Sequence, residues 1–266
     1  MTRNLPKYNS SDTLAHHTFA HLVLQNAVKI SVSIQAKGSA FKANAKYDRD
    51  PTHAEFYYIT AGTSLSHFLS TCQQLEHCVL YFSSFSPTDK MKNGGINKHS
   101  YLLYSIENYI IRTQTFYDRL LRFIDNIFCL YNPSHLISHE LIISNTHVKH
   151  SDVPSRLKTI RRLIKAYYRD RNEIMHERQY LEDDLRRLEG YTILATDSPY
   201  KDDKYFKQEI KDLARQIIKG KTKEFTMVNK NVFTAVAELF ETLKPLYDEK
   251  RKVLEAIHGK IELLVE

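Results

Sequence analysis

The chain has 266 residues, long enough to bury a substantial core as one large domain or as a domain with helical extensions. Hydrophobic residues make up 42% of it and charged residues 26%, a balance typical of a globular protein rather than a disordered one. Seven glycines and seven prolines are few for this length and favour long helices with short connections over a turn-rich β architecture. The net charge of +7 and the isoelectric point near 9.1 indicate an anionic partner, most simply nucleic acid.

Cysteine usage and hydropathy bear on the compartment. The three cysteines, Cys72, Cys78 and Cys129, provide no disulfide framework. No apolar run approaches the ~20 residues that a membrane-spanning helix needs, and the polar N-terminus lacks the apolar segment of a signal peptide. We therefore expect a cytoplasmic protein.

The N-terminal segment predicts one helix and a connection. Ser10-Ser11-Asp12 is a typical helix start, and the polar residues before it are expected to be loose. Leu14–Ile34 carries apolar residues at helical spacing and predicts a helix, although its β-branched end is ambiguous. Residues 36–52 have the composition of a connection.

Two further segments precede the first clear linker. Glu55–Ile59 is a short aromatic stretch that we interpret as the beginning of a helix. Gly62 is expected to end this stretch. Leu65–Phe85 predicts a helix with its apolar residues on one side. Residues 86–99 form the linker, because they contain a proline and an Asn-Gly-Gly turn signal.

A long helix is predicted over Ser100–Leu130 and is ended by Asn132-Pro133. Its apolar residues recur in steps of three and four. A second stripe on the same helix is polar: Asn108, Arg112, Thr115, Arg119, Arg122 and Asn126. This stripe is either a solvated face that pairs with acidic residues of its own helix, or a row of phosphate contacts that faces the helix carrying Arg171.

The next segment, His135–His150, is less regular and carries four histidines. His135 and His139 are one turn apart, a spacing at which two imidazoles can share a metal ion on a helix. No acidic or cysteine partner has the expected spacing nearby. We therefore expect surface histidines and no metal site.

A basic helix follows and leads into the most informative stretch of the chain. Asp152 is expected to cap this helix, with Pro154 in its first turn. The helix carries a dense run of arginines and lysines. It is predicted to break at Arg169-Asp170, because Asp170 is a good N-cap and Glu173 lies three positions later, at the capping-box spacing.

This break would place three polar residues, Arg171, Asn172 and His176, in the first two turns of a new helix. Free backbone N–H groups and the positive end of the helix dipole favour an anion such as phosphate there. The apolar seam of this helix consists of Ile174, Leu181, Leu185 and Leu188. Asn172 and His176 are expected to point away from that seam, with Arg171 nearer its edge.

The C-terminal part predicts a loop and two helices. Residues 191–202, after Gly190, read as a polar loop. Helices are predicted over about Lys204–Lys219 and Asn229–Leu264, the second bent or interrupted at Pro245. We interpret them as packing or dimerisation elements.

The six residues from Arg171 to His176 resemble the Arg-x(4–6)-His motif of the HEPN superfamily, in its Arg-polar-x-x-x-His form. The Tyr109–Phe128 helix, with Tyr117-Asp118-Arg119, resembles the partner helix of that bundle. The whole chain is similar to a bacterial HEPN-domain family of comparable length. The resemblance implies an all-α, HEPN-like up-and-down helical bundle with additional N- and C-terminal helices.

The resemblance is clearest over residues 96–190, which are expected to form the HEPN-like helical core. Residues 1–95 then form an N-terminal helical extension and linker, and residues 191–266 form C-terminal helices that pack on the core. We expect one compact unit.

The resemblance also implies a function, a metal-independent endoribonuclease that cleaves single-stranded RNA by attack of the 2′-hydroxyl and needs no cofactor. His176 would be the acid or base, because imidazole titrates near neutrality, and Arg171 would stabilise the charged transition state. Asn172 would orient the phosphate or the imidazole. The arginines expected to contact RNA phosphates are Arg112, Arg119, Arg169 and Arg178.

The expected partners follow from this chemistry. HEPN ribonucleases typically supply both an acid and a base by dimerising, so we expect a homodimer with Arg171 and His176 near its two-fold axis. The implied role is a toxin or phage-defence effector, with an antitoxin or partner protein as a further expectation. One HEPN subgroup adds a tyrosine two residues after the histidine, where this chain has Arg178 and places Tyr180 two residues later. That departure counts against regulation by modification of such a tyrosine and does not bear on cleavage.

Two alternatives remain open at this point. The first alternative to the enzyme is a non-catalytic HEPN module that binds RNA, nucleotide or a protein partner, and the second is a purely structural helical interaction protein. The presence of both Arg171 and His176 favours the enzyme, because a degenerate module has no need of both. Interleaved tyrosines and arginines around Arg169 suit stacking and phosphate contacts in single-stranded RNA, but they suit a helix interface equally well.

Overall fold

The computed structural model describes residues 10–35, 47–84, 88–176, 180, 182–197 and 203–258. These residues form eleven helices and no strand, so the predicted all-α class is confirmed. The helices are α1 Ser11–Ala15, α2 Thr18–Ile34, α3 His53–Ser83, α4 Asp89–Asn93, α5 Lys98–Ile127, α6 His139–Ser144, α7 Thr146–Lys149, α8 Val153–Leu163, α9 Lys165–His176, α10 Asp183–Asp197 and α11 Lys204–His258. None of the helices among these residues is long and apolar enough to cross a membrane.

Side-chain caps divide the first predicted helix into two. Ser10 begins α1 as predicted, in a capping box with Thr13. His16 ends the short α1. His17 then caps α2, because its Nδ1 accepts a hydrogen bond from the backbone N–H of Phe19 at 3.2 Å. The single helix predicted over Leu14–Ile34 was therefore wrong at its start and right at its end.

Helix α3 continues through the glycine that was expected to end it. Its first turn is stabilised by Glu55, which accepts two hydrogen bonds from Arg49 and one from the backbone N–H of Thr52 at 2.8 Å. The hydrogen bonds from Arg49 lower the pKa of the Glu55 carboxyl to about 2. At Gly62 the helix approaches α2 so closely that an added Cβ would lie 2.1 Å from the Cβ of Ala27. Gly62 is thus a packing position and not a helix stop.

Helix α5 matches its prediction closely, and the turn after it has an unusual backbone. Buried Asp125 accepts hydrogen bonds from the backbone N–H and the side-chain amide of Asn132, at 3.3 and 2.6 Å. Cys129 and Tyr131 both have positive φ angles, of 52° and 53°, which turn the chain sharply. The prediction of surface histidines was wrong for His139, which is buried and lies 2.6 Å from the Tyr117 hydroxyl through its Nδ1.

The C-terminal helices are longer than predicted. Helix α10 runs to Asp197, so the predicted loop over residues 191–202 was wrong for its first seven residues, and 198–202 lie outside the described residues. The two predicted helices at the C-terminus are one helix, α11, of 55 residues. It passes through both Gly220 and Pro245, because the buried face of α11 outweighs the low helix propensity of these two residues.

The chain folds into two compact units. Unit 1 comprises residues 1–73, 115–162 and 231–266, and unit 2 comprises residues 74–114 and 163–230. Aromatic side chains dominate both cores. In unit 1, for example, the rings of Phe68 and Phe116 lie 5.1 Å apart, and in unit 2 the rings of Tyr109 and Phe225 stack at 3.8 Å. The predicted division into three segments stays a prediction.

Candidate functional site

The helix that carries the Arg171–His176 motif begins earlier than predicted. Helix α8 ends at Leu163 and α9 begins at Lys165, so the break lies at Ile164 and not at Arg169-Asp170. Asp170 is therefore an interior residue of α9 and not its N-cap. The capping signal was overridden because the residues before Asp170, Tyr167 above all, pack as part of the same helix.

This correction moves the motif to the other end of the helix. Arg171 and Asn172 lie in the second half of α9, and His176 is its last residue. The free N–H groups of a helix N-terminus are therefore not available to the motif, and any anion that it binds must be held by side chains. The predicted apolar seam is divided as well, since Leu185 and Leu188 belong to α10, where both are buried, and Leu181 lies outside the described residues.

Tyr167 fixes α9 in the core of unit 2. Its side chain is buried and packs edge-on against Tyr109 at a ring-centroid distance of 5.6 Å. The Tyr109 ring is itself stacked on Phe225 of α11 at 3.8 Å, with its hydroxyl 2.9 Å from Oδ1 of Asn229. The Tyr167 hydroxyl donates a hydrogen bond of 2.6 Å to Oε1 of Glu224. Three helices, α5, α9 and α11, are joined at this point.

Arg171 and Asn172 contact each other directly. Nη1 of Arg171 donates a hydrogen bond of 3.1 Å to the side-chain oxygen of Asn172, and both residues are partly exposed. Within the described ranges no carboxylate lies at ion-pair distance from Arg171. A guanidinium has five N–H donors, so the bond to Asn172 orients this cation and leaves it able to donate to a phosphate.

Asp170 and Arg169 provide the charge next to this pair. Arg169 is 79% exposed in its side chain, and its Nε lies 3.8 Å from Oδ1 of Asp170. Burial raises the pKa of the Asp170 carboxyl above its ordinary value, while Arg169 partly offsets this effect and Glu173 adds to it. The exposed Arg169 is therefore a cation next to the motif that can meet a ligand from solution.

Two arginines of the polar stripe on α5 donate hydrogen bonds to α3. Nη1 of Arg112 donates to the side-chain oxygen of Gln74, and its Nε donates to Asn108 at 3.1 Å. Nη1 of Arg119 donates to Oγ1 of Thr71 at 2.7 Å and to a backbone carbonyl of α3 at 3.0 Å. Helix α3 therefore provides acceptors for both guanidinium groups, and the role of these two arginines as phosphate contacts stays a prediction.

Two other residues of the predicted site, His176 and Arg178, are described only in part or not at all. Arg178 lies outside the described residues, and of His176 only the backbone position at the end of α9 is described. Among the side chains that the structure describes, no group of three or more histidines, cysteines, aspartates or glutamates is placed to hold a metal ion. The roles predicted for the site residues stay predictions.

Sequence reasoning missed two charged residues beside the motif helix, Lys221 and Glu224. Both lie between the two helices predicted for the C-terminal part, in a stretch that contains Gly220 and was assigned to neither. Their spacing of three residues is that of a helical ion pair, and the Nζ of Lys221 does lie 3.1 Å from Oε2 of Glu224. Continuing the helix through Gly220 would have revealed this pair, but not its partners Tyr167 on α9 and Tyr180 and Glu182 just before α10.

Comparison with models of known families assigns the chain to one of them. A family model described as Cthe2314-like HEPN matches residues 64–244, which is 181 of the 266 residues. The match includes the motif on α9 and extends on both sides of residues 96–190, where the resemblance is clearest. No curated protein and no solved structure matches the chain. An all-α chain matched over two thirds of its length by this model belongs to the Cthe2314-like HEPN family, within the HEPN superfamily.

Proposed function

We propose that this HEPN protein is a metal-independent endoribonuclease that cleaves single-stranded RNA. The observation that carries the proposal is the Arg171–Asn172 pair, a guanidinium oriented by an amide and placed on the same helix as His176, five residues earlier. Positions 172 and 176 are four residues apart and lie on one face of α9, and the long side chain of Arg171 bonds to Asn172 there. Membership of the HEPN superfamily and the net charge of +7 are consistent with an RNA substrate.

The reaction needs a base, an acid and a stabilising cation. The 2′-oxygen of the RNA attacks the adjacent phosphorus as the base takes its proton, and the bond from phosphorus to the 5′-oxygen breaks as the acid protonates that oxygen. The products are a 2′,3′-cyclic phosphate and a 5′-hydroxyl. His176 is the proton-transfer group, Arg171 stabilises the charge that develops on the non-bridging oxygens, and Asn172 orients Arg171.

The substrate would also need phosphate contacts outside the reacting centre. Of the predicted arginines that the structure describes, Arg169 fits best because it is exposed and lies beside the motif. Arg112 and Arg119 fit less well, since their guanidinium groups already donate hydrogen bonds to α3.

The same chemistry supports a homodimer. One imidazole cannot act as base and acid in the same step, and a second copy of His176 across a two-fold axis would provide the missing group. We expect a particle of about twice the 31.2 kDa of one chain, measured by light scattering. A monomeric particle that cleaves RNA would contradict the composite site.

The first test is cleavage of end-labelled single-stranded RNA in EDTA by the wild type and by His176→Ala. We expect cyclic-phosphate ends from the wild type and a fall of at least about 100-fold in rate for the variant, because general acid–base catalysis typically contributes that much. His135→Ala, at an exposed histidine in unit 1, is the matched control and should cleave like the wild type.

Two results would contradict the proposal. Cleavage that survives in His176→Ala would mean a contaminating nuclease or another site. A folded, dimeric wild type that leaves diverse RNAs intact would instead support a HEPN module that binds RNA, nucleotide or a protein.

If the enzyme is active, arrest of bacterial growth by the wild type and not by His176→Ala would support the role of toxin or phage-defence effector.

A further inference from the structure

Lys221 of α11 lies at the centre of a small polar network in unit 2, formed by Lys221, Glu224, Tyr180 and Glu182. Its Nζ is 3.0 Å from Oε2 of Glu182, 3.1 Å from Oε2 of Glu224 and 3.4 Å from the Tyr180 hydroxyl. The Tyr180 hydroxyl also contacts Oε2 of Glu182 at 3.2 Å. The Lys221 side chain is only 13% exposed, so these contacts form in a partly dehydrated environment.

The Lys221 network reaches the chain on both sides of the motif. Before the motif, the second carboxylate oxygen of Glu224 accepts the 2.6 Å hydrogen bond from Tyr167, four residues ahead of Arg171. After the motif, Tyr180 follows His176 by four residues, and its backbone N–H donates a hydrogen bond of 2.9 Å to Oε1 of Glu107 on α5.

The charge balance of the Lys221 network depends on its one ammonium group. Burial disfavours the charged lysine, but Tyr180, Glu224 and Glu182 outweigh this effect and raise the pKa of Lys221 above its ordinary value. Without the ammonium, the carboxylates of Glu182 and Glu224 would remain near each other without their shared partner, and such groups separate or take up protons.

We propose that Lys221 is a positioning residue for the reaction proposed above, because it holds the chain on both sides of the motif and so sets where His176 lies. This inference rests on the proposed function and gives Lys221 no contact with the substrate. Helix α9 has twelve residues and would be marginal in isolation, and His176 is in its last turn, which frays first. The contacts of Tyr167 and Tyr180, on either side of the motif, therefore determine how stable the last turn of α9 is.

The test compares Lys221→Met with Lys221→Arg and with Lys223→Met, a matched control at an exposed lysine of the same helix. Two quantities are measured for each protein, namely kcat and KM on single-stranded RNA and the amide hydrogen exchange of α9 and Tyr180 by mass spectrometry. For Lys221→Met we expect kcat to fall about 10- to 100-fold with KM within about twofold, because the reacting groups are misplaced while substrate contacts remain. Exchange should become faster in α9 and at Tyr180, while α2 keeps its wild-type rate.

Lys221→Arg should recover most of kcat because it keeps the charge between the two carboxylates, and Lys223→Met should change neither quantity. If Lys221→Met does not fold, Tyr180→Phe replaces it, since this variant loses only the hydroxyl that contacts Lys221 and Glu182. We expect Tyr180→Phe to lower kcat and speed exchange in the same direction by a smaller factor.

The outcomes separate the two proposals. If the wild type cleaves RNA and the variant keeps its kcat and its exchange rates, the positioning role is wrong and the proposed function stands. If the wild type does not cleave RNA, the proposed function is wrong, and exchange alone decides whether Lys221 holds α9. A raised KM with unchanged kcat would also overturn the positioning role, because it would mean a substrate contact.

Discussion

The hydrogen bond between Arg171 and Asn172 joins neighbours in the chain. Adjacent helical residues do not normally face each other, so the contact forms only because the arginine side chain is long enough to bend toward the amide. The amide carbonyl accepts one N–H without neutralising the guanidinium. The charge therefore stays available for a phosphate, which is what a transition-state cation requires.

Substitution of Asn172 tests, at the residue scale, whether the charge of Arg171 is available for a phosphate. In Asn172→Asp a carboxylate would pair with Arg171 and compete with the RNA phosphate, so we expect KM to rise by about 10-fold and kcat to fall. Asn172→Ala removes only the orienting acceptor and should reduce kcat a few-fold. Steady-state cleavage of labelled RNA measures both.

A control for the added charge is Gln73→Glu, at an exposed position on α3, which should leave both constants unchanged. Asp and Ala variants at Asn172 with equal, wild-type kinetics would show that the pair has no role in catalysis.

At the scale of the secondary-structure elements, Gly62 and Gly220 show that glycines inside helices can lie in very different surroundings. Both lie inside long helices, where glycine costs about 1 kcal/mol relative to alanine. At Gly62 the backbones of α2 and α3 come close enough that a Cβ would meet the Cβ of Ala27 at 2.1 Å. At Gly220 an added Cβ has no neighbour within 4 Å.

The two alanine substitutions should therefore have opposite effects on the free energy of unfolding. Gly62→Ala is expected to destabilise by about 1–3 kcal/mol, because the helices must move apart and this outweighs the gain in helix propensity. Gly220→Ala should stabilise by about 0.5–1 kcal/mol. Urea denaturation measures both, and stabilisation by Gly62→Ala would show that α2 and α3 do not pack as described.

At the scale of the whole molecule, three buried histidines connect stability to pH. Burial lowers the pKa of His17, His99 and His139 below the ordinary value of 6.5. Nδ1 of His17 must stay unprotonated to accept the N–H of Phe19, and its Nε2 lies 3.0 Å from Glu241. Glu189 beside His99 and Glu140 beside His139 favour the charged forms but do not outweigh burial.

Stability should fall as the pH drops below about 6.5. The unfolded chain takes up protons on these histidines at that pH while the folded chain does not, so proton binding favours unfolding until the lower folded pKa values are reached. The low pKa of Glu55 acts only below its ordinary value of 4.5 and does not contribute in this window. Asp125 and Asp170 act in the opposite direction, since burial raises their pKa values and stability is lost as pH rises through them.

We expect the thermal midpoint to be lower at about pH 5.5 than at about pH 7.5, by about 2–4 °C for each kcal/mol lost. His139→Gln should weaken this pH dependence, and His135→Gln, at an exposed site, should leave it intact. Equal pH dependence in all three proteins would mean that the pKa of His139 is the same in the folded and the unfolded chain.

The properties that depend on neighbours in the chain could be read from the residues alone. The all-α class, the extent of α5 and the start of α1 at Ser10 follow from periodicity, turn residues and short spacings. These signals act over a few residues, and long-range packing did not conflict with them. The HEPN superfamily came from the resemblance of residues 171–176 to a known motif, and the family match over residues 64–244 confirms the superfamily.

The remaining features depend on residues far apart in the chain. Gly62 lies inside a helix because α2 approaches it. The break before α9 lies at Ile164 because Tyr167 packs on Tyr109 and Phe225. Lys221 contacts Tyr180 and Glu182, which are 41 and 39 residues earlier in the chain. A local capping or stop signal is worth about 1 kcal/mol, whereas burying a large aromatic side chain is worth about 1.5–3 kcal/mol, so packing prevails where the two conflict. Long-range packing therefore placed the motif at the end of its helix, although the local spacings predicted its start.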